Sequence, residues 1–252
     1  MQTQIEARST LETLEQRVSI RRYNAEPIAD ELLLQLLETA RRAPTSSNTQ
    51  TYSLVVVRDP ARKAELAKLA GNQRHVAECP VFVACCADIT RLESACALHE
   101  SHLAQNLENS MVAIVDAALV GMALSLAAES VGLGTVMIGG MRNKPDQVAQ
   151  VLGLPRGVFV VYGLCLGWPD EAHRSPQKPR LPRDLIIHWE QYDASDPAPA
   201  LQAHDAELAV HYRGEGRNSP DDAWTGVIAE EFSQFQRPHL RATLEALGYH
   251  FD

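Results

Sequence analysis

The amino-acid sequence predicts an α+β fold, with a mixed sheet flanked by helices, in a single domain over residues 1–252. Short apolar runs rich in β-branched residues occur between segments of helical periodicity, and the two kinds of segment do not alternate strictly. In addition, no GxGxxG motif follows a strand, which disfavours a doubly wound dinucleotide-binding fold. With 45% hydrophobic residues, the chain can bury one large core.

Each predicted element comes from a local pattern. Leucines and alanines recur at helical spacing after Asp30, which predicts a helix over 30–42 that ends before Pro44. Short apolar runs predict buried strands. The predicted strands are 53–57, 80–87, 134–138 and 158–166, and the further predicted helices are 109–131, a short one after Pro145, 201–213 and 223–235.

The helix predicted at 109–131 contains the longest apolar stretch of the chain, 111–128, whose length approaches what a bilayer span requires. Asp116 and Ser125 interrupt it among small residues. Because a carboxylate is costly in lipid, we predict a central buried helix rather than a membrane span.

The composition argues against two classes of partner. Lys and Arg number 23 against 32 Asp and Glu, a net charge of −9, and such a surface repels nucleic acid and anionic membranes. The five cysteines form no CxxC motif and no even disulfide framework, and no metal site is expected. The amino terminus lacks the basic start and apolar core of a signal peptide. We therefore predict a cytoplasmic protein that binds neither nucleic acid nor membrane.

Prolines mark the region after the last predicted strand. The segment 168–182, WPDEAHRSPQKPRLP, contains four prolines and several basic residues, which favours an extended arm over regular structure. We place this arm near 168–192 and a C-terminal helical excursion near 201–252.

A basic segment, RVSIRRY at 17–23, is the first candidate for chemistry. Arg17 and Arg21 are four residues apart and would share one face of a helix, where two forked guanidinium groups can bind a dianionic phosphate. A solvated basic helix end has the same composition.

Three other regions supply complementary groups. The polar loop 43–50, APTSSNTQ, offers hydroxyls and backbone N–H groups, and Gln73 can both donate to and accept from a heterocycle edge. Gly139 and Gly140 permit close approach of a backbone N–H to a reacting atom, while Lys178 and Arg180 can neutralise a phosphate. Each region alone is also typical of ordinary turns and surfaces. Their conjunction fits flavin mononucleotide (FMN).

Several sequence blocks, in this order, carry a family resemblance from about Leu11 to the carboxyl end. The blocks are SIRRY, TSSNTQ, LAGNQRHV, AAESVGLGTVMIGGMRN, YGLCLGWP and KPRLP followed by IIHWEQY, of which AAESVGLG and IGGMRN are the most specific. The chain resembles the FMN-dependent, oxygen-insensitive nitroreductase and NAD(P)H:flavin oxidoreductase family. The resemblance implies a nitroreductase-like fold and an intertwined homodimer with FMN at the interface.

The resemblance also implies roles for individual residues. It assigns the FMN phosphate to Arg17, Lys178 and Arg180, the flavin pyrimidine to Arg21, and the flavin N5 edge to residues 137–140. The cofactor-binding set is Arg17, Val18, Ser19, Ile20, Arg21, Thr45, Ser46, Ser47, Gln73, His75, Met137, Ile138, Gly139, Gly140, Lys178 and Arg180. The substrate-binding set is Ser47, Arg213, Arg217 and Arg237.

The implied activity is an NAD(P)H oxidoreductase that reduces nitroaromatics, quinones or free flavins by two-electron ping-pong hydride transfer. No side chain is expected to be catalytic, because the chemistry takes place at FMN N5. Two alternatives stay open: an FMN-binding carrier or sensor with little turnover, and a cofactor-free interaction protein.

Two positions depart from the family pattern. Val18 stands where the family often has a second basic residue. Glu215, between Arg213 and Arg217, stands where NADPH-selective relatives have an arginine. A carboxylate there would repel the 2′-phosphate, so we expect NADH to be used at least comparably with NADPH.

Overall fold

The chain forms two compact units in a computed structural model that describes residues 7–252. The first unit comprises the described residues up to Ser175 together with residues 239–252, and the second is Pro176–Pro238. Helices and a sheet occur together as the sequence predicts, which confirms the α+β class. The single-domain interpretation stays a prediction.

One four-stranded sheet forms the centre of the first unit, in the order β1-β2-β4-β3 with every neighbouring pair antiparallel. Among the described residues, parallel pairing is limited to an isolated bridge between Ser19 and Thr135. The strands are β1 (Tyr52–Val57), β2 (Val81–Asp88), β3 (Gly134–Ile138) and β4 (Val158–Gly167). All four predicted strands are thereby confirmed to within one or two residues.

Eight helices of the first unit surround this sheet among the described residues. They are α1 (Thr10–Gln16), α2 (Asp30–Ala40), α3 (Pro60–Leu69), α4 (Arg74–Glu78), α5 (Thr90–Ala97), α6 (Leu107–Ser130), α7 (Pro145–Leu152) and α10 (Leu240–Ala246). The helices predicted at 30–42 and 109–131 are confirmed as α2 and α6, and α5 lies in the polar, helix-prone stretch 90–108. Helices α1, α3, α4 and α10 were not predicted individually. The start of α3 has a recognisable signal, because the Asp59 side chain accepts from the Arg62 N–H and Pro60 occupies the first turn.

Alternating side chains of β2 divide the core into two apolar layers. Val81, Val83, Cys85 and Ala87 belong to the cluster that contains residues of α2 and α6. Phe82, Ala84 and Cys86 belong to the other cluster, with residues of α3 and α7. Successive side chains of a strand point to opposite faces of the sheet, and here an apolar layer covers each face. All residues of β2 and β4 are therefore buried.

The 24-residue helix α6 packs closely on the sheet. A Cβ at Gly121 would lie 2.0 Å from the Tyr162 hydroxyl oxygen, so only glycine fits there, and that hydroxyl donates to the Ala118 carbonyl at 3.1 Å. By length and composition α6 is the one helix among the described residues that could cross a membrane. The predicted burial holds for one face of α6. The other face exposes a stripe of large apolar side chains, Leu107, Met111, Val115 and Leu119.

The second unit contains α8 (Ala198–Gly214) and α9 (Thr225–Phe232), as the sequence predicts. The buried Asp205 carboxylate joins them by accepting from the Trp224 and Thr225 N–H groups at 2.7 and 2.9 Å. Within the described stretch 168–197, the helical structure before α8 is limited to short 3-10 turns, as expected for an arm.

The final residues of the predicted C-terminal excursion belong to the first unit. Tyr249 is fully buried, its ring meets Phe159 edge-on with 4.7 Å between centroids, and its hydroxyl donates to the Gly157 carbonyl at 3.1 Å. Residues 239–252 are therefore part of the core around β4.

Candidate functional site

Arg17 does not share a helix face with Arg21, contrary to the prediction. Helix α1 ends at Gln16, and Arg17 has extended dihedrals of φ −65° and ψ 137°. The Ile20 N–H donates to the Thr135 carbonyl at 2.9 Å, and Ser19 forms the parallel bridge to Thr135. The backbone of residues 19 and 20 therefore pairs with the outer edge of β3. If α1 continued for another turn, these backbone hydrogen bonds would be lost.

A buried carboxylate on α6 binds Arg17. Glu129 Oε1 accepts from Arg17 Nη2 at 3.2 Å and from the Thr135 hydroxyl at 2.6 Å, and the Ser125 hydroxyl lies 2.6 Å from that of Thr135. The Glu129 side chain is 7% exposed and that of Arg17 is 22% exposed. Because a buried carboxylate requires partners, this network ties Arg17 to both α6 and β3.

Three predicted segments converge near the end of β3. A Cβ at Gly140 would lie 2.5 Å from the Ala70 carbonyl oxygen and 2.8 Å from Gln73 Nε2, so the glycine is in contact with the turn that precedes α4. The positive charge of Arg21 acts on His75 in α4. Met137 is the exposed residue of β3, at 41%. Polar, cationic and accessible apolar groups therefore share this edge of the sheet.

The surroundings of His75 favour its neutral imidazole. Burial lowers its pKa below the ordinary value, the Arg21 charge lowers it further, and Glu78 opposes the shift. One ring nitrogen is then a donor and the other an acceptor. His75 Nε2 is buried without a hydrogen-bond partner among residues 7–252.

The polar loop before β1 has an unusual backbone. Ser47, Asn48 and Gln50 have φ of 46°, 59° and 53°, in the left-handed region that costs of order 1–3 kcal/mol for a residue with a side chain. Asp116 on α6, fully buried, accepts from the Ser46 N–H at 3.0 Å, and from the Thr51 N–H and hydroxyl at 3.1 and 2.7 Å. The carboxylate therefore holds both ends of the strained turn, while Ser46 and Ser47 stay exposed.

In the second unit, two cations contact one aromatic ring. Lys178 Nζ and the Arg217 guanidinium each lie 5.3 Å from the centre of the Tyr212 ring, within range of cation–π attraction. A cavity of about 810 Å³ adjoins them. Its lining includes Lys178, Arg180, Arg183, Tyr212 and Trp224.

The structure does not present Glu215 at the surface. Its side chain is 14% exposed, and Oε2 lies 3.5 Å from Arg217 Nε and 4.0 Å from His211 Nε2. Arg213, 47% exposed, donates to Asp221 at 3.0 Å, and Arg217 is 58% exposed. The loop therefore exposes its arginines to solvent and buries the Glu215 carboxylate. The expectation that NADH is used at least comparably with NADPH assumed an exposed carboxylate, so the structure does not support it.

Arg237, the last predicted substrate contact, lies at the end of the second unit. It is half-buried and has φ of 49°, left-handed backbone that is rare for arginine. Together with Ser47, it is one of two predicted substrate residues that have this conformation.

Comparison with known proteins identifies the family. Residues 14–168 match the Nitroreductase family, and residues 178–252 match the Nitroreductase family, C-terminal domain. The chain belongs to the nitroreductase family. This finding confirms the resemblance inferred from the sequence blocks.

Two curated relatives and one solved structure of the nitroreductase family are similar over nearly the whole chain. "FMN reductase [NAD(P)H]" of Bacillus subtilis is 36% identical and covers 95% of this chain and 97% of its own. "Oxygen-insensitive NADPH nitroreductase" of Salmonella typhimurium is also 36% identical, with 95% and 98% covered. The structure of NADPH:FMN oxidoreductase from Vibrio harveyi complexed with NAD+ has a TM-score of 0.85 at 33% identity, with 95% and 98% covered.

Sequence reasoning missed two residues that organise this nitroreductase site, Asp116 and Glu129. Each is an acidic residue within the apolar helix α6, and that contrast is the signal that could have identified them. Asp116 accepts from residues 65 and 70 positions away and Glu129 accepts from Arg17, 112 positions away, whereas Thr135 is only 6 positions from Glu129.

Proposed function

We propose that this chain is an FMN-dependent NAD(P)H oxidoreductase that reduces nitroaromatics, quinones or free flavins by two-electron ping-pong hydride transfer. The observation that supports this most is the convergence of Arg21, Gln73, His75 and Gly140 at the end of β3. The names of the relatives, FMN reductase and NADPH nitroreductase, favour turnover over the carrier or sensor alternative.

The residues at the end of β3 fit a flavin. The unpartnered Nε2 of His75 and the amide of Gln73 match a ring edge that both donates and accepts. The exposed Met137 offers apolar surface to a planar ring, and Gly139 and Gly140 present backbone without side chains. The chemistry that bound FMN supplies is hydride transfer at N5, from a reduced nicotinamide to the acceptor.

In this proposal, the side chains of the site bind and orient FMN and the electron acceptor. Arg21 would place positive charge beside the flavin pyrimidine, which favours electron-rich states there. Arg17, Lys178 and Arg180 would bind the phosphate, with Arg17 oriented by Glu129. Val18, Ser19, Ile20, Thr45, Ser46 and Ile138 complete the proposed cofactor-binding set. Ser47 and Arg237 would contact the acceptor.

We propose a homodimer with FMN at its interface, in which the partner subunit packs on the exposed apolar stripe of α6. Leu107, Met111, Val115 and Leu119 form this stripe, and each is at least 40% exposed. The exposed Trp189 and Tyr192 of the arm offer further apolar contact area.

We also propose a cytoplasmic location. The five cysteines are all free thiols, and four of them are buried, which agrees with a reducing compartment.

The first test concerns turnover. We expect the purified protein to be yellow, to lose its visible absorbance when NADH or NADPH is added without oxygen, and to regain it when a nitroaromatic or quinone follows. Absorbance spectroscopy measures all three steps. Yellow protein that neither donor bleaches would support the carrier or sensor, and protein that binds no FMN would contradict the cofactor assignment.

The second test concerns the phosphate. Lys178→Ala together with Arg180→Ala should raise the Kd for FMN about 100-fold or more, because two charge-assisted hydrogen bonds contribute about 1.5–3 kcal/mol each. Fluorescence titration of the apoprotein measures the Kd. Arg62→Ala, an exposed cation on α3, is the control. An unaltered affinity in the double variant would overturn the assignment of these two residues.

The third test concerns the dimer. Met111→Glu together with Val115→Glu should yield a monomer at micromolar concentration with weakened FMN binding, because charges would replace apolar contacts between copies of α6. Sedimentation velocity measures the assembly, and Leu34→Glu, an exposed leucine of α2, is the control. A native protein that sediments as a yellow, active monomer would refute the dimer.

The fourth test concerns the nicotinamide donor. Because Arg213 and Arg217 face solvent and Glu215 does not, we now expect NADPH to be used at least as well as NADH. Arg213→Ala together with Arg217→Ala should lower kcat/KM for NADPH about tenfold relative to NADH. Arg241→Ala, exposed on α10, should leave the ratio unchanged. A native preference for NADH, or an unchanged ratio in the double variant, would contradict this reading of the loop.

A further inference from the structure

The backbone of the 46–51 loop depends on contacts from outside the loop. Three of its residues, Ser47, Asn48 and Gln50, are left-handed and none is glycine. Within the loop, the Asn48 and Thr49 N–H groups donate to the Thr45 and Ser46 carbonyls, which closes one 3-10 turn. Such strained backbone persists when surrounding structure determines it.

Arg91 supplies one outside contact by donating to the Gln50 carbonyl at 3.0 Å, and Asp116 supplies the contacts from the interior at both ends of the loop. Oδ1 accepts from Ser46 at the first end of the loop, and Oδ2 accepts twice from Thr51 at the other end. The carboxylate is fully buried, and every donor that reaches it within the described chain is uncharged. Its hydrogen bonds therefore fix the separation and direction of the two ends, while the outer surface of the loop stays exposed.

We infer that Asp116 is a positioning residue for the electron acceptor. It holds residues 46–51 in the strained conformation that presents Ser46 and Ser47 at the surface, and it thereby sets the acceptor pocket without touching the acceptor. This inference rests on the proposed function, in which Ser47 contacts the acceptor.

The substitution Asp116→Asn tests this role with little change in volume. An amide replaces one oxygen by an NH₂ donor, which then faces the N–H groups of Ser46 or Thr51, so at least one end of the loop is released. Thr51→Val removes the hydroxyl bond alone and keeps the N–H bond, and Thr51→Ser restores a hydroxyl. The acceptor defect should therefore be large in Asp116→Asn, smaller in Thr51→Val and slight in Thr51→Ser.

The measurements separate positioning from general destabilisation. In the FMN-loaded enzyme, Asp116→Asn should lower kcat/KM for a nitroaromatic acceptor about tenfold or more, mainly through KM, while the rate of anaerobic bleaching by saturating NADPH stays within about threefold. Asp59→Ala, which removes the N-cap of α3 beyond the opposite end of β1, should lower Tm and leave acceptor kcat/KM unchanged.

The outcomes are distinct. Native protein that binds no FMN, or that no nicotinamide bleaches, would refute the proposed function itself. If the native enzyme turns over and Asp116→Asn loses bleaching and acceptor reduction equally, or loses neither, the positioning role is overturned. If Asp116→Asn does not fold, Thr51→Val decides: an unchanged acceptor KM there overturns the inference, and a raised KM that Thr51→Ser restores supports it.

Discussion

Two buried carboxylates on α6 hold the polar segments of the site against an otherwise apolar helix. Asp116 fixes the loop before β1, and Glu129 fixes Arg17 and the hydroxyl of Thr135. Burying a carboxylate without hydrogen-bond donors would cost free energy. Each carboxylate therefore stabilises the conformation of the neighbouring segments that supplies its donors. The position of the loop and of the basic segment therefore depends on α6 being seated on the sheet, which Gly121 permits by its contact with Tyr162.

The sheet supplies the second constraint. Because both faces of β2 and β4 are buried, accessible groups can gather only at the outer strands and beyond the strand ends. Within residues 7–252, the outer edge of β3 pairs only with Ser19 and Ile20, and Gly140 beyond its end contacts Ala70 and Gln73. Polar groups are thereby concentrated beside Met137 and Gly140, where the proposed flavin would find a rigid support.

Local patterns predicted the strands and the long helices, because apolar runs of four to eight residues and helical periodicity are properties of short segments. The assignment of Arg17 and Arg21 to one helix face failed for a physical reason. Residues four apart lie on one face of a helix, but they also lie on one side of an extended strand. The choice between the two conformations depends on the backbone partner Thr135, which is over a hundred residues away in the chain. The burial of Glu215 likewise depends on Arg217 and His211 folding over it. Sequence blocks identified the family. The acidic character of Asp116 and Glu129 within the apolar α6 is visible in the sequence, whereas the groups that they hold are known only from the tertiary contacts.

The placement of the cysteines has a consequence for the proposed reduction of quinones. Quinones alkylate thiolates, and the thiolate is the reactive form of cysteine. Cys85 and Cys86 lie in the middle of β2 with no exposed surface, and burial raises the pKa of Cys85 to about 12 and that of Cys86 higher still. Cys85 and Cys86 of the central strand are therefore held as protonated thiols, out of reach of an electrophilic acceptor.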